Sequence, residues 1–300
     1  MRAPVTPLLP NPLGGERRWW TWRGHPVAYV VRGEGAPVVL LHSIHAAAWS
    51  GEWRRTAPAI PDGFATIALD LLGFGASARP PVAYDAPLYL ELIRDFLREV
   101  VRTPAVLVGS SLGGTYAIAI AHRHPELVRA VCAIGPAGVT RLIHRGGAAG
   151  ALVQRVFRTP GLGATLFSLL VSRFSIRTFL KDIYSDSRAL DEETIELFHV
   201  SANQPGARFA PAAFVGMQLC EDIRPALPAL TVPLLLVWGE QARQTPLQEA
   251  AFVRALAPRA TYAAIPGGDL PHDERPEAFN PVLKRFITTL PPLAQPGTPP

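Results

Sequence analysis

The pentapeptide Gly109-Ser110-Ser111-Leu112-Gly113 is the part of this sequence with the clearest chemical potential. It follows the apolar run PAVLV and opens the Ala-rich segment TYAIAIA, which indicates a buried strand turning sharply into a helix. Glycines two residues before and after Ser111 allow strand and helix to approach closely around a strained central residue. The pattern predicts a serine hydroxyl lifted above a sheet at the positive end of a helix, where it could attack a carbonyl carbon.

A serine hydroxyl is a poor nucleophile until a base removes its proton, so the other polar residues near predicted loops matter. One such loop is IPGGDLPHDERPEAF, residues 265–279, and another is HSIHAAAW, which contains His45. We interpret Asp269, His272 and Asp273 as a solvated acidic turn rather than a metal site. No Cys/His spacing in the chain is typical of zinc ligands, and no cofactor is predicted.

The elements that would position these residues alternate between strands and helices. Four short, almost wholly apolar runs are typical of strands buried on both faces of a parallel sheet: PVVLLHS, ATIALDLLG, PAVLVGS and VRAVCAIGP. RRWWTWRG and HPVAYVVRG predict an antiparallel pair before them, and helix-like segments separate the runs, among them AAAWSGEWRRTAPAI. The alternation predicts an α/β fold with a doubly wound sheet.

The domain organisation follows from where this alternation stops and resumes. Residues 139–227 are helix-rich, including the stretch ATLFSLLVSRFSIRTFLKDIY, and strand signals return with VPLLLVWGE and RATYAAIPG. We predict a core of residues 17–138 and 228–290 with a helical insertion at 139–227. Residues 1–16 are predicted to be a flexible arm without a secretory signal, and residues 291–300 a disordered tail.

Five motifs in order resemble the α/β-hydrolase superfamily, in its single-cap branch, over about residues 20–290. They are VVLLHS followed by Trp, ALDLLGFGAS, GSSLGG, LLLVWGE and LPHDERPEAF. The resemblance implies a mostly parallel eight-stranded sheet flanked by helices, with the insertion as a cap over the active site. It also implies that Gly109 and Gly113 flank a nucleophile elbow at Ser111, between the fifth strand and its helix.

The resemblance further implies an oxyanion hole built from two backbone N–H groups. One belongs to Leu112, which follows the nucleophile, and the other to Ile44 in the loop after the third strand. Two such donors stabilise the oxyanion of an acyl-transfer reaction. Members of the family usually have His-Gly at the end of that strand, whereas this chain has His42-Ser43, so we expect a different loop backbone.

The usual partners of the serine are both substituted. Aligned with the family pattern G-H-x-P-H-x-E-x-P, this chain has Asp269 at the position of the base, and Ala242 stands where the acid is usual. Two neighbouring aspartates would repel each other, so Ala242 removes a conflict, and Arg243 is expected to pair with Asp269. The substitute bases to consider are His272, which the resemblance makes structural, and His45 in the oxyanion loop.

Two functions therefore remain open for the sequence. One is an esterase-like hydrolase of apolar acid or alcohol esters, with Ser111 and a degenerate triad. The other is a non-catalytic protein that binds an apolar or lipid-like ligand beneath the cap. Dehalogenase and epoxide hydrolase relatives are disfavoured, because they place Asp where Ser111 stands.

The distribution of charge bears on the binding partners of the protein, and the cysteine content bears on its cellular compartment. The net charge is +5, and residues 127–181 contain no acidic side chain, which suggests either a solvated basic face or a cap that meets an anionic membrane surface. No nucleic-acid partner is predicted. Cys132 and Cys220 lie in apolar contexts and are expected to be buried free thiols in a reducing compartment, so we expect a cytoplasmic protein, with peripheral membrane attachment as the alternative.

Overall fold

Eight strands form one sheet in the computed structural model, which describes residues 9–291. In spatial order they run β1-β2-β4-β3-β5-β6-β7-β8, with antiparallel pairing of β1 with β2 and of β2 with β4, and parallel pairing elsewhere. The bounds are β1 Glu16–Trp22, β2 His25–Arg32, β3 Ala36–Leu41, β4 Phe64–Leu69, β5 Ala105–Ser110, β6 Val128–Ile134, β7 Leu234–Gly239 and β8 Thr261–Ile265. The predicted eight-stranded, mostly parallel sheet is confirmed.

Helices cover both faces of this sheet, which explains why its central strands are apolar along their whole length. The bounds are α1 Ala86–Phe96, α2 Leu112–Arg123, α3 Gly147–Arg158, α4 Leu162–Leu170, α5 Arg173–Ile183, α6 Glu192–Ala202, α7 Phe209–Val215, α8 Ala226–Ala229, α9 Leu247–Leu256, α10 Pro271–Glu274 and α11 Pro276–Thr288. One core layer includes α1, α2 and α9, and the layer on the opposite face includes α11.

The helices α3 to α7 lie between β6 and β7, in the segment predicted to form the cap, and we use the name cap for this helical segment. The exact bounds 139–227 stay a prediction. Within residues 9–291, no helix is both long and apolar enough to cross a membrane. The prediction for the cysteines is confirmed, because Cys132 and Cys220 are both free and buried.

Two predicted helices differ in the structure. Residues 46–60 form only the short 3₁₀ turns Ser50–Trp53 and Ala57–Ala59, because Trp49 is fully extended and Pro58 has no N–H to continue a helix. The long helix expected from residue 164 to 184 is divided into α4 and α5. Ser172 takes an extended conformation there, and its hydroxyl caps α5 by accepting the N–H of Ser175.

The predicted flexible arm, residues 1–16, is packed where the structure describes it. Leu9 and Leu13 are both buried, and Leu9 contacts Trp49 and Leu197. The burial of these two leucines removes apolar surface from water and so favours the packing of residues 9–15. Residues 1–8 and all but the first residue of the predicted tail lie outside the described residues.

Candidate active site

Ser111 occupies a strained turn between β5 and α2. Its φ of 51° and ψ of −120° are unusual for a residue other than glycine, and its N–H donates to the carbonyl oxygen of Ile134 at 2.8 Å. A Cβ on Gly109 would lie 2.4 Å from the carbonyl group of Gly113. One on Gly113 would lie 2.6 Å from the carbonyl oxygen of His42. Both flanking glycines are therefore required by close backbone approach.

Ser111 lines a cavity of about 280 Å³ between the sheet and the cap. Apolar side chains from both parts of the molecule form most of its wall: Ile44, Ala137, Leu142, Phe179, Phe214 and Leu270. His45, Arg141 and Asp269 also line it. The guanidinium of Arg141 is engaged by the Glu249 carboxylate at 3.0 Å. The cavity thus suits a small, mainly apolar molecule with a polar end near Ser111.

The predicted oxyanion donors are compatible with this cavity. Leu112 is the first residue of α2, so its N–H has no acceptor within the helix. The N–H of Ile44, which lines the cavity, has no hydrogen-bond partner among residues 9–291. Both groups lie next to Ser111 or share its cavity, as two donors to an oxyanion must.

A buried carboxylate holds the loop that contains Ile44. Glu52 accepts the N–H of Ser43 at 2.8 Å and the hydroxyl of Ser43 at 2.6 Å. On its other side, an oxygen of Glu52 lies 3.5 Å from Nε2 of the fully buried His272. Burial would raise the pKa of Glu52, but the hydrogen bonds and the His272 ring outweigh it, so that the pKa is lowered. Ser43, at a position where the resemblance leads us to expect glycine, therefore donates two hydrogen bonds to Glu52.

The neighbouring His42 supports the same loop. Its Nε2 accepts the N–H of Leu71 at 3.1 Å, so that Nδ1 carries the proton and donates to the carbonyl oxygen of Ser43 at 2.6 Å. The ring is fully buried. Both ring nitrogens of His42 are thus engaged in holding the loop.

Asp269, which the sequence predicts at the position of the base, is bound by the loop in which the acid was expected. Its carboxylate accepts the backbone N–H groups of Arg243, Gln244 and Thr245, at 3.0 to 3.1 Å. Burial raises the pKa of Asp269 above its usual value, while these three N–H groups act in the opposite direction. The successive N–H groups form a concave anion site of the kind that binds a carboxylate.

The expected pairing of Arg243 with Asp269 occurs through the backbone rather than through the guanidinium. That guanidinium instead faces the cap, where it contacts the carbonyl oxygen of Lys181 and the carboxylate of Asp182. Ala242 is partly buried and offers no ionisable group. The loop that contains Ala242 is therefore joined to the loop of Asp269 by backbone hydrogen bonds.

His45 lies in the cavity wall, but its chemical state is unfavourable for a base. Burial lowers its pKa to about 4, and its ring packs between the cap residues Phe179 and Phe198. Nδ1 accepts the N–H of Ala47 at 3.3 Å, so Nε2 carries the proton of the neutral ring. Nε2 is buried without a partner among residues 9–291. The ring is thus set to donate a hydrogen bond rather than to remove a proton.

His272 and Asp273 are both fully buried, which corrects the interpretation of this segment as a solvated turn. The ring of His272 packs 4.2 Å from that of Trp53. Asp273 accepts from Arg54 at 2.7 Å and from the hydroxyl of the cap residue Tyr184. The buried charge of Asp273 is stabilised by this pairing, and the segment joins core to cap. His272 does not line the cavity of Ser111.

Sequence reasoning missed Glu52 and the N–H groups at 243–245. A signal existed for the first, because Glu52 is a charged residue in an apolar segment, directly before Trp53. No side-chain pattern reveals backbone donors. Among the residues singled out from the sequence, Ser111, Ile44, His45 and Asp269 share one cavity, whereas His272 and Ala242 are absent from its wall.

A family model supports what the fold and elbow indicate. Residues 38–282 match the model of the Alpha/beta hydrolase family. The chain belongs to this family. Within it, the chain is 30% identical over 228 residues to a 2-hydroxymuconate semialdehyde hydrolase of Pseudomonas sp. strain CF600, a match that covers 72% of this chain and 74% of the relative.

Two further proteins are similar to this family member. A 2-hydroxy-6-oxo-6-(2'-aminophenyl)hexa-2,4-dienoic acid hydrolase of Metapseudomonas resinovorans is 35% identical over 123 residues, which is 40% of this chain and only 42% of that relative. The crystal structure of a serine hydrolase involved in carbazole degradation has a TM-score of 0.77 at 23% identity, covering 92% of this chain and 99% of that one. The structural similarity supports the fold alone.

Proposed function

We propose that this protein is a slow serine hydrolase of small esters of apolar acids or alcohols, with Ser111 as its nucleophile. The observation that carries the proposal is the strained backbone of Ser111 at the wall of an apolar cavity. Such strain is retained in proteins where the surrounding structure enforces it, and it is concentrated at functional sites.

The chemistry uses few groups. The Ser111 oxygen attacks the carbonyl carbon of the ester, and the N–H groups of Ile44 and Leu112 donate to the oxygen that becomes negative. The hydroxyl proton passes to water, and the departing alkoxide takes a proton from water. A second water then hydrolyses the acyl group from Ser111, releasing the acid and restoring the serine.

The rate is limited by the lack of a positioned base. The oxygens of Asp269 are occupied by three N–H groups, and Nε2 of His45 already carries its proton. Losing the base of a serine triad typically lowers turnover by about 10⁶, and about 10³–10⁴ of the acceleration over water remains from the oxyanion hole and from binding.

The second candidate is a non-catalytic binding protein for an apolar or amphipathic ligand. It is favoured by Asp269, because three hydrogen bonds to one carboxylate describe a completed structural contact rather than a damaged active site. Its ligand would occupy the same cavity, with Ser111 as a hydrogen-bonding group.

Labelling with a fluorophosphonate probe separates the two candidates. The hydrolase is expected to label slowly, in a reaction that Ser111→Ala abolishes, and to turn over p-nitrophenyl butyrate far below the usual range of about 1–1,000 per second. An absence of labelling over days, together with thermal stabilisation by the unhydrolysed ester, would favour the binding protein.

A further inference from the structure

The cap carries an exposed apolar surface that the active site does not use. Most of the large apolar side chains that are exposed among residues 9–291 lie on α3, α4 and α5. On α4 they are spaced at i, i+4, i+7 and i+8 and therefore share one side of the helix, which we call the α4 outer face: Leu162, Leu166, Leu169 and Leu170.

The α4 outer face is not the side of the helix that packs on the protein. The buried residues Gly163 and Phe167 lie beside this face on the helix surface, and Phe167 packs in the core of the cap with Val171 and Ile176. Helix α4 contains no charged residue at all. A solvated helix usually has polar residues outside its buried stripe, so four large exposed leucines next to that stripe indicate an interaction surface.

Phe174, four residues after Leu170 in the sequence, adds a further large apolar side chain and is 79% exposed. It lies in the first turn of α5, the helix that follows directly. A large exposed aromatic residue close in sequence to four exposed leucines is typical of an interaction surface.

Basic residues flank this surface on both sides in the sequence. On α5, Arg173, Arg177 and Lys181 recur every four residues and share one exposed side, while Arg155 is exposed near the end of α3. Surface glutamates of α6 pair with Arg173 and Arg177. In residues 9–291, neither Arg155 nor Lys181 has an ion-pair partner, so these two cations remain free to meet an external anion.

We infer that the α4 outer face, with Phe174 and the flanking cations, docks on the surface of a bilayer that contains anionic phospholipid. An uncharged, apolar helix face bordered by arginine and lysine matches the acyl boundary and the headgroups of such a bilayer. A second copy of this chain would bring the same cations into contact with each other, so charge favours the lipid surface.

The docking does not depend on hydrolysis. The test uses the full chain and sucrose-loaded vesicles, either of phosphatidylcholine alone or with phosphatidylglycerol added, sedimented at low and high salt. Binding is expected to be at least about tenfold stronger on the anionic vesicles at low salt and to fall steeply as salt screens the headgroups. Ser111→Ala is expected to bind equally, which keeps this result separate from the proposed activity.

Paired variants connect binding to the α4 outer face. Leu169→Glu with Leu170→Glu is expected to lower vesicle binding by about tenfold or more, because charged side chains cannot enter the acyl boundary. Phe252→Glu is the matched control, since Phe252 is 60% exposed on α9 of the core domain, against 66% for Leu169. Arg155→Glu with Lys181→Glu is expected to remove most of the preference for anionic vesicles, about fivefold for each cation.

Three results would overturn the inference. They are equal recovery of the wild-type protein in the supernatant with both vesicle types, equal loss of binding in the Phe252→Glu control, and a stable dimer in sedimentation velocity that Leu169→Glu with Leu170→Glu dissociates. Circular dichroism of each variant establishes that it is folded.

Discussion

The two sides of the candidate active site differ in what their residues are bound to. On the nucleophile side, Ser111 stands in a strained turn, and the N–H of Ile44 has no partner among the described residues. On the base side, Asp269 has its carboxylate filled by three backbone N–H groups. The nucleophile side therefore has a strained backbone and an N–H donor that is unpaired within residues 9–291. On the base side, the carboxylate and its N–H donors already pair with each other.

This difference shows which parts of the site are protected by folding. The elbow is enforced by Gly109 and Gly113, where a side chain would collide with backbone atoms. Asp269 lies in a largely buried loop, where its carboxylate is tolerated because three backbone N–H groups donate to it. The geometry of the elbow is thus set by residues other than Asp269.

The largest expected effect comes from rebuilding the base side. Asp269→His with Ala242→Asp should restore a Ser-His-Asp arrangement and raise p-nitrophenyl butyrate hydrolysis by about 10²–10⁴-fold, the usual contribution of proton transfer. Asp269→His alone should gain less, because no carboxylate would orient the imidazole. Steady-state kinetics, with Ser111→Ala added to the double variant as control, gives the answer.

A folded double variant without gain would show that the cap or the oxyanion loop has also diverged. The comparison between the two sides would then fail, because the nucleophile side would not be competent either. In that case the binding protein becomes the better proposal.

Glu52→Ala tests whether the nucleophile side needs its buried support. Removing the carboxylate leaves both donors of Ser43 unpaired, and should lower the free energy of unfolding by about 3–5 kcal/mol in urea titrations. Glu52→Gln, which keeps an acceptor, should lose less. Glu91→Ala removes an exposed partner of Arg23 and should cost no more than about 1 kcal/mol.

The probe-labelling rate of folded Glu52→Ala gives a second measurement. If Glu52 positions the N–H of Ile44, the rate should fall about 10²–10³-fold, as for the loss of an oxyanion donor. If the labelling rate is unchanged while the free energy of unfolding is lowered, Glu52 has a structural role only.

The burial of His45, on the nucleophile side, predicts that the free energy of unfolding depends on pH. Because burial lowers its pKa from 6.5 to about 4, the fold favours the neutral ring. Its contribution to stability is complete above pH 6.5 and is lost as the pH falls towards 4, in total about 3 kcal/mol. Unfolding free energies at pH 7 and 4.5 should therefore differ more for wild type than for His45→Gln, which does not titrate; equal differences would contradict this protonation state.

Of the four predictions in this section, Gly113→Ala should have the smallest effect. A methyl group there meets the carbonyl oxygens of Leu41 and His42 at 2.6 Å, and the overpacking should cost about 1–3 kcal/mol in thermal unfolding. Gly147→Ala at the start of α3 meets nothing within 4 Å and should be neutral or stabilise the protein by about 0.5 kcal/mol. Similar losses in both variants would mean that glycine at 113 is not sterically required.

The sequence by itself determined the sheet and the elbow. Apolar runs identify buried strands, and the glycine spacing around Ser111 specifies a tight turn, because both depend on residues that are neighbours in the chain. The motif register also predicts that Asp269 and Ala242 stand at the positions usual for the base and the acid.

Only the tertiary structure decided what those positions do. The ligands of Asp269 are backbone N–H groups on another loop, which every non-proline residue carries and no side-chain pattern can distinguish. Glu52 and His272 are likewise brought together from distant parts of the chain. Both are fully buried, although their polarity alone would predict exposure to solvent. Local spacing carries the geometry of a turn, whereas the partner of a buried charge depends on how the loops meet.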